Sequence, residues 1–266
     1  MTRVEELREV TAFEYLRRFT TASRPFEGYA RADDGEQIRL CIKPVLMDRP
    51  ESSLHMLTEV VGSVVATLLN VPVPEAFLVR IPKSFLAAAG SALTDVQPGW
   101  GFGSKWVERA FPAAGNLSEP GAIANPESVA GVTVLDTLLQ NGDRHGTNVL
   151  LCPSVDDVDA FELVYIDNAH GFNAAAPNSD AALSLKVPTD PGLCELVTSQ
   201  DMFMAYLVAA EGLPGSVAAA AVTRAKALGW AVPNGYASHV ESHLAKASAQ
   251  IRSLVMSGLP AFSRCR

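Results

Sequence analysis

Residues 141–148 read N-G-D-R-H-G-T-N, a mostly polar stretch between two predicted elements. The segment 125–140 before it predicts a helix, and the short apolar run 149–152 after it predicts a strand. A second short strand is predicted at 163–166 and is followed by Asp167. Because a hairpin brings the second strand back to the first, polar residues at the ends of these elements are expected to lie side by side.

Asp143, Asn148 and Asp167 are the polar side chains that this arrangement brings together. Phosphoryl transfer needs one carboxylate that orients the acceptor hydroxyl and takes its proton. It also needs oxygen ligands for Mg²⁺, which neutralises charge on the transferring phosphate. The pattern therefore predicts Asp143 as the base and Asn148 and Asp167 as metal ligands. The alternative is a capping turn in which Arg144 forms an exposed salt bridge.

Lys43 ends an otherwise apolar strand predicted at 38–43, and Glu59 lies on a helix predicted at 51–69. A lysine in this place can extend to solvent or reach the phosphates of a nucleotide. Helical geometry puts Glu59 opposite the apolar stripe of its helix, so it faces either a cleft or water. Together with the Asp143 motif, the pattern favours a Lys43–Glu59 ion pair.

Two further segments are candidates for nucleotide contacts. The polar turn before the first hairpin strand contains Ser23 and Arg24, which could contact phosphate together with backbone N–H groups. The turn has no G-x-G-x-x-G pattern, so an ordinary polar turn is the alternative. Trp106, Val107 and Glu108 follow at the end of the first half, where their backbone could contact adenine.

The first part of the chain is typical of a mixed α and β structure. A D-D-G turn at 33–35 joins two alternating segments and predicts a hairpin. Residues 12–19 allow either a helix or a strand, and residues 82–100 are predicted to be mostly loop. The predicted strands are 26–30, 38–43, 77–81 and 101–107.

The second part of the chain is predicted to be mainly helical. Asn125 is expected to cap the helix that leads to residue 140. Three Ala-rich helical segments follow from about residue 192. The composition changes near residue 108, which indicates an α+β, two-lobed fold. A small N-terminal β-sheet lobe with one helix is predicted at 1–107, and a larger, mainly helical C-terminal lobe at 108–266.

Composition limits the classes of partner. Asp and Glu number 29 and Lys and Arg number 21, so the net charge is -8 and a nucleic-acid partner is not expected. No apolar run approaches the roughly 18 residues of a membrane span, so no stable membrane insertion is expected. The N-terminus lacks the apolar region of a signal peptide, and the 4 cysteines form no C-x-x-C pair. A cytoplasmic location is therefore expected.

A set of short motifs also carries a resemblance to a known family. They are Ser23-Arg24-Pro25-Phe26, Lys43, Glu59, Val71-Pro72-Val73-Pro74-Glu75, Phe102-Gly103-Ser104-Lys105, Asn141, Asp143, Arg144, Ile166 and Asp167. In this order they resemble small bacterial HipA-like kinases. The D-R-H-x-x-N string is similar to the catalytic loop of phosphatidylinositol kinases. Both groups share the two-lobed protein-kinase-like fold.

The resemblance implies ATP and Mg²⁺ as cofactors and Asp143 as the catalytic acid/base residue. It also implies Asn148 and Asp167 as metal ligands and Lys43 as the lysine that contacts phosphate. Asp167 is followed by N-A-H-G rather than F-G. The activation-loop logic of eukaryotic kinases therefore does not transfer to this chain.

The leading hypothesis is an ATP-dependent, Mg²⁺-assisted kinase that transfers the γ-phosphoryl group to a hydroxyl. A protein Ser or Thr or a small molecule is favoured as acceptor, because the acidic balance disfavours an anionic membrane. The main alternative is a pseudokinase or nucleotide-sensing module that binds ATP without transfer. An enzyme that transfers AMP and an unrelated fold with a chance D-R-H-G-T-N are also considered.

Overall fold

The chain folds into a mixed α+β structure in which a β-barrel precedes a group of helices. A computed structural model describes residues 7–117, 122–157, 159–173, 182–260 and 262. The barrel strands follow the order β1-β2-β3-β5-β4. Their bounds are β1 Arg8–Arg18, β2 Phe26–Arg31, β3 Gln37–Lys43, β4 Ala76–Ile81 and β5 Gly99–Lys105.

A second, 3-stranded sheet and the helices complete the described part of the chain. The sheet has the order β6-β7-β8 and consists of β6 Phe111–Pro112, β7 Val149–Pro153 and β8 Phe161–Tyr165. The helices are α1 Ser52–Leu68, α2 Lys83–Ala89, α3 Ser128–Leu139, α4 Pro191–Glu195, α5 Met204–Glu211, α6 Ser216–Ala227 and α7 Tyr236–Gly258.

Alternating side chains build the barrel. On β3, Ile38, Leu40 and Ile42 point inward and are buried, whereas Lys43 lies on the outward face. β1 closes the barrel by pairing in parallel with β4. The segment from residue 12, for which the sequence allows a helix or a strand, is therefore a strand up to Arg18 and pairs with β2, whereas Arg8–Thr11 pair with β4.

A second helix occupies the region that was predicted to be loop-rich. α2 follows Pro82, whose extended backbone leads into the helix, and the buried ring of Phe85 packs in the barrel core. The prediction of one helix in the N-terminal lobe is therefore wrong. α2 is only 7 residues long and contains three alanines soon after Phe85. The helical pattern of so short a segment cannot be distinguished from that of a loop.

The predicted cap of α3 is also wrong. Asn125 makes no cap; its Nδ2 donates to the backbone oxygen of Leu163 and its Oδ1 accepts from the Leu163 N–H, at 3.1 and 2.8 Å. The side chain therefore extends the β6-β7-β8 sheet at its edge. This ties the start of α3 to β8, the strand that leads to Asp167.

The barrel has its own core, and a larger core lies between α1 and the C-terminal helices. The larger core includes Val61 of α1 and Phe102 of β5, together with Leu135 of α3, Val222 of α6 and Ile251 of α7. It therefore contains residues from both sides of the boundary predicted at 107/108. α1 is buried on nearly every face. The single apolar stripe in its sequence therefore predicts fewer buried residues than the structure shows.

Among the described residues, no single helix is both long and apolar enough to cross a membrane. The bent pair Gln200–Glu211 and Ser216–Ala227 has sufficient length and apolar composition when taken together. Its apolar side chains, such as Leu207 and Val222, are buried in the larger core.

Candidate functional site

An ionic cluster joins β3, α1 and the turn after β8. Lys43 Nζ bonds the Glu59 carboxylate and lies 2.9 Å from Asp167 Oδ1. Glu59 Oε2 also accepts a hydrogen bond of 3.0 Å from the Asn168 N–H. The side chains of Lys43, Glu59 and Asp167 are 13%, 3% and 28% exposed. Glu59 therefore faces this cluster rather than water, and Asp167 remains accessible to a ligand.

Burial and charge act in opposite directions on the pKa values of this cluster. Burial alone would lower the pKa of Lys43, but the Glu59 and Asp167 carboxylates outweigh it and raise that pKa. Burial likewise opposes ionisation of Asp167, yet the Lys43 ammonium outweighs it and lowers the pKa of Asp167. Burial raises the pKa of Glu59 against the opposing attraction of Lys43. Lys43 and Asp167 are therefore both charged at neutral pH.

Asp143 lies in the loop that follows α3, and its side chain is 43% exposed. Its backbone N–H donates to Asn141 Oδ1 at 3.2 Å. Asp143 Oδ2 lies 3.6 Å from His170 Nε2 and 3.8 Å from His145 Nε2. An accessible carboxylate on a loop held by such contacts is suited to accept a proton from a bound hydroxyl.

Asn148 lies in the short 3₁₀ turn before β7, next to the end of β8. Its Nδ2 donates to the Asp143 backbone oxygen at 2.9 Å, which leaves Oδ1 as the atom that could bind a cation. The Ile166 N–H donates to the Asn148 backbone oxygen at 3.1 Å. The backbone of Asp167, the next residue, has φ 64°, a conformation that is uncommon outside glycine and is found at functional sites.

The donor set of Asn148 and Asp167 fits Mg²⁺. It combines an amide oxygen with an ionised carboxylate, and Mg²⁺ prefers oxygen ligands. Mg²⁺ commonly takes one or two carboxylates from the protein and further oxygens from water and substrate phosphates. Within the described ranges, no group of three or more His, Cys, Asp or Glu side chains could hold a metal ion.

Arg144 connects the loop of Asp143 and Asn148 to the end of β8. Its side chain is 2% exposed, and Nε and Nη2 each donate to the Asp136 carboxylate at 2.9 Å. Nη1 donates to the backbone oxygens of Asn148 and Ile166, and Nη2 donates to Asn168 Oδ1 at 3.0 Å. The alternative of an exposed Arg144 salt bridge is therefore wrong. Five donors of one guanidinium can hold several loops at once.

The close approach of α1 to Asn168 depends on Gly62. A Cβ at residue 62 would lie 2.6 Å from Asn168 Cβ and 2.8 Å from Asn168 Cγ. Because Asn168 is itself held by Glu59 and Arg144, it has little room to move. The glycine therefore lets the helix that carries Glu59 lie directly against the turn that carries Asp167.

Gly62→Ala is expected to destabilise the protein by about 1–3 kcal/mol, the usual cost of overpacking a closely packed site. Helix propensity alone would change stability in the opposite direction by about 1 kcal/mol. Urea unfolding measures the sign. Gly212→Ala is the control, because a Cβ there meets no atom closer than 3.6 Å. A Gly62→Ala protein as stable as the control would contradict the close contact.

The predicted phosphate turn is held by ion pairs. Arg24 donates to the carboxylates of Asp48 and Asp95, and its N–H donates to the Thr21 carbonyl at 3.0 Å. Ser23 is half-buried in the same turn. A contact between Arg24 and phosphate would require its side chain to exchange at least one of these carboxylates.

β5 ends at Lys105, two residues before the strand end predicted at 107. The segment predicted to meet adenine follows directly after it. The Trp106 N–H donates to the Arg39 carbonyl at 2.8 Å, and the Arg17 and Arg39 guanidinium carbons lie 5.4 and 4.8 Å from the centre of its ring. Glu108 accepts from Arg39 Nη1 at 2.8 Å. The Trp106 carbonyl and the backbone of residues 107 and 108 are the groups of this segment that could contact a base.

Three residues of the site were missed or left open by sequence reasoning. The sequence does not show whether Asp136 is buried or exposed, and in the structure it is the buried partner of Arg144. Asn168 and Gly62 are not predicted as site residues. The available signals were a carboxylate within an apolar helix, an amide directly after Asp167, and a glycine in the middle of an apolar helix.

Comparisons with solved structures find protein-kinase-like folds. The open conformation of CtTel1 has a TM-score of 0.51 at 14% sequence identity, over 93% of this chain and 12% of that one. The FAT and kinase domain of CtTel1 has a TM-score of 0.48 at 14% identity, over 96% of this chain and 23% of that one. The Helicobacter pylori proinflammatory kinase CtkA has a TM-score of 0.44 at 11% identity, over 90% and 94% of the two chains.

The likeness to the open form of CtTel1 concerns the fold alone, and this chain spans only 12% of the length of that protein. No curated protein sequence matches the chain. The family model of HipA-like kinases matches residues 20–182. That match covers more than half of the chain and includes both the Lys43 cluster and the Asp143 loop, so the protein belongs to the HipA-like kinase family.

Proposed function

We propose that the protein is an ATP-dependent, Mg²⁺-assisted kinase that transfers the γ-phosphoryl group to a hydroxyl. The observation that carries the proposal is the ionic cluster, in which one buried ammonium joins Glu59 to Asp167. Arg144 connects the end of the strand before Asp167 to the loop of Asp143 and Asn148. The charged groups that phosphoryl transfer requires are thus joined by one network of hydrogen bonds and ion pairs.

Each residue of this network has a proposed role that follows from its contacts. Lys43, held charged and oriented by Glu59, would contact the phosphates of ATP. Asn148 Oδ1 and the Asp167 carboxylate would hold Mg²⁺, which supplies positive charge to the phosphate oxygens. Asp143, accessible at the edge of the loop, would orient the acceptor hydroxyl and take its proton.

The remaining candidate residues would contact the nucleotide from the positions that they occupy in the structure. Ser23 and Arg24 lie at the turn before β2, where they would cover the phosphates once Arg24 releases a carboxylate. The backbone of Trp106, Val107 and Glu108 would meet the base. The acceptor is proposed to be a protein Ser or Thr or a small molecule, and the location cytoplasmic.

Isotope-labelled ATP tests this function directly. With Mg²⁺, we expect label from γ-³²P-ATP to appear in inorganic phosphate or in the protein, because water or a hydroxyl of the chain can serve as a poor acceptor. Label from α-³²P-ATP is expected to stay in the nucleotide. Transfer of α-label would indicate AMP transfer. If ATP binds but no label reaches the chain, water or supplied Ser and Thr peptides, the proposed kinase function is contradicted. That result would support a nucleotide sensor.

A further inference from the structure

The paired position of Glu59 depends on where α1 lies. Gly62 of α1 lies against Asn168 in the turn after β8. α1 also packs against α3, β5 and α6 in the larger core. We propose that Trp230, at the end of α6, is a positioning residue that keeps α1 in the position where Glu59 meets Lys43. The consequence for catalysis rests on the proposed kinase function.

Small side chains allow α6 to approach α1 closely. Ala218, Ala221 and Ala225 are all buried on one face of α6, together with Val217 and Val222. Their spacing of three and four residues places them on the same side of the helix. The same core contains Val61, Val64 and Val65 of α1. A shift of α1 would therefore disturb its packing against α6.

Trp230 connects the end of α6 to the barrel. Its indole Nε1 donates to the backbone oxygen of Trp100 in β5 at 3.0 Å, and the side chain is buried, with 5% of the residue exposed. The Trp230 N–H donates to the Ala225 carbonyl at 3.0 Å, and Gly229 has φ 79°, so a tight turn fixes the ring to the helix end. Trp230 thus has one defined position between α6 and β5.

The strand that Trp230 bonds is the neighbour of the strand that carries Lys43. β5 pairs with β3 with Phe102 opposite Lys43, two residues from Trp100. An ion pair between Glu9 of β1 and Arg224 of α6 adds a second contact between barrel and helix. This pair is exposed and contributes little by itself. The buried indole therefore joins α6, which packs on α1, to the strand beside the one that carries Lys43.

Two substitutions at residue 230 distinguish the effect of the packed ring from the effect of its hydrogen bond. Trp230→Phe keeps most of the ring and removes the donor, and Trp230→Ala removes both. Phe203→Ala is the matched control, because Phe203 is an equally buried aromatic of the same core that packs on Phe262 rather than on the barrel. Global unfolding of all three variants is measured in parallel by urea titration, so that a general loss of stability is recognised.

Hydrogen exchange of the α1 amides is the first measurement, and it does not depend on activity. In Trp230→Ala, we expect exchange over residues 59–66 to be about tenfold faster than in Phe203→Ala, because α1 leaves its paired position more often. Trp230→Phe is expected to lie between Trp230→Ala and wild type. Equal α1 exchange in Trp230→Ala and Phe203→Ala would overturn the inference.

Kinetics of phosphoryl transfer is the second measurement. Trp230→Ala is expected to lower kcat about tenfold with a smaller change in the KM for ATP, because only molecules with α1 in place are competent. Phe203→Ala is expected to retain most of its kcat when folded. A wild-type protein that transfers no phosphate would contradict the proposed function, whereas the exchange result would still decide the role of Trp230.

Discussion

Asp143→Asn is expected to lower the rate of phosphoryl transfer by about 10²–10⁴-fold, the range that a positioned general base contributes. The substitution keeps the size and the hydrogen-bonding shape of the side chain but removes its ability to take a proton. Because Asp143 is 43% exposed and its backbone contacts are retained, thermal unfolding is expected to change little. Initial rates with saturating Mg²⁺ and ATP measure the effect.

Asp156→Asn is the control for this variant, since Asp156 lies in the exposed loop between β7 and β8. It removes the same charge from a hairpin loop that carries none of the proposed catalytic or metal-binding residues. Similar rates in wild type, Asp156→Asn and Asp143→Asn would remove Asp143 from the catalytic role. A rate loss in both variants would indicate an effect of net charge rather than of proton transfer.

Arg144→Met is expected to destabilise the protein by about 3–5 kcal/mol, the usual result of removing one partner of a buried ion pair. The remaining Asp136 carboxylate is 1% exposed and would lose both of its guanidinium hydrogen bonds. The backbone oxygens of Asn148 and Ile166 would lose a donor as well. Chemical denaturation gives the free energy of unfolding.

Two companion variants show whether the buried pair is the cause. Arg252→Met removes the partner of Glu211 at a pair that is about 40% exposed on both sides, and a cost below about 1 kcal/mol is expected. The double variant Arg144→Met/Asp136→Leu is expected to recover part of the lost stability, because no unpaired carboxylate is left in the core. A double variant as unstable as the sum of its single variants would contradict this explanation.

Local chemistry and periodicity predict much of the site. The strand that ends at Lys43, the helix that carries Glu59 and the hairpin between Asn148 and Asp167 follow from alternation and helical spacing within short segments. The family resemblance adds the roles of these residues, and it agrees with the family to which the chain belongs. The roles themselves remain predictions that the experiments above test.

Contacts between distant segments could not be predicted. The parallel pairing of β1 with β4 closes the barrel, but nothing within either segment specifies its partner. Asn125 has the residue type of a helix cap, yet the edge of β8 offers it two backbone partners at once. The indole of Trp230 bonds a residue 130 positions away. Side-chain partners of this kind depend on tertiary packing, which overrides local preference.

A crystal structure with Mg²⁺ and a non-hydrolysable ATP analogue would show the proposed contacts themselves. We expect a metal ion bound by Asn148 Oδ1 and the Asp167 carboxylate, with Lys43 Nζ at the phosphates and the γ-phosphate facing Asp143. A metal bound away from Asn148 and Asp167, or a nucleotide whose phosphates do not reach Lys43, would contradict this expectation.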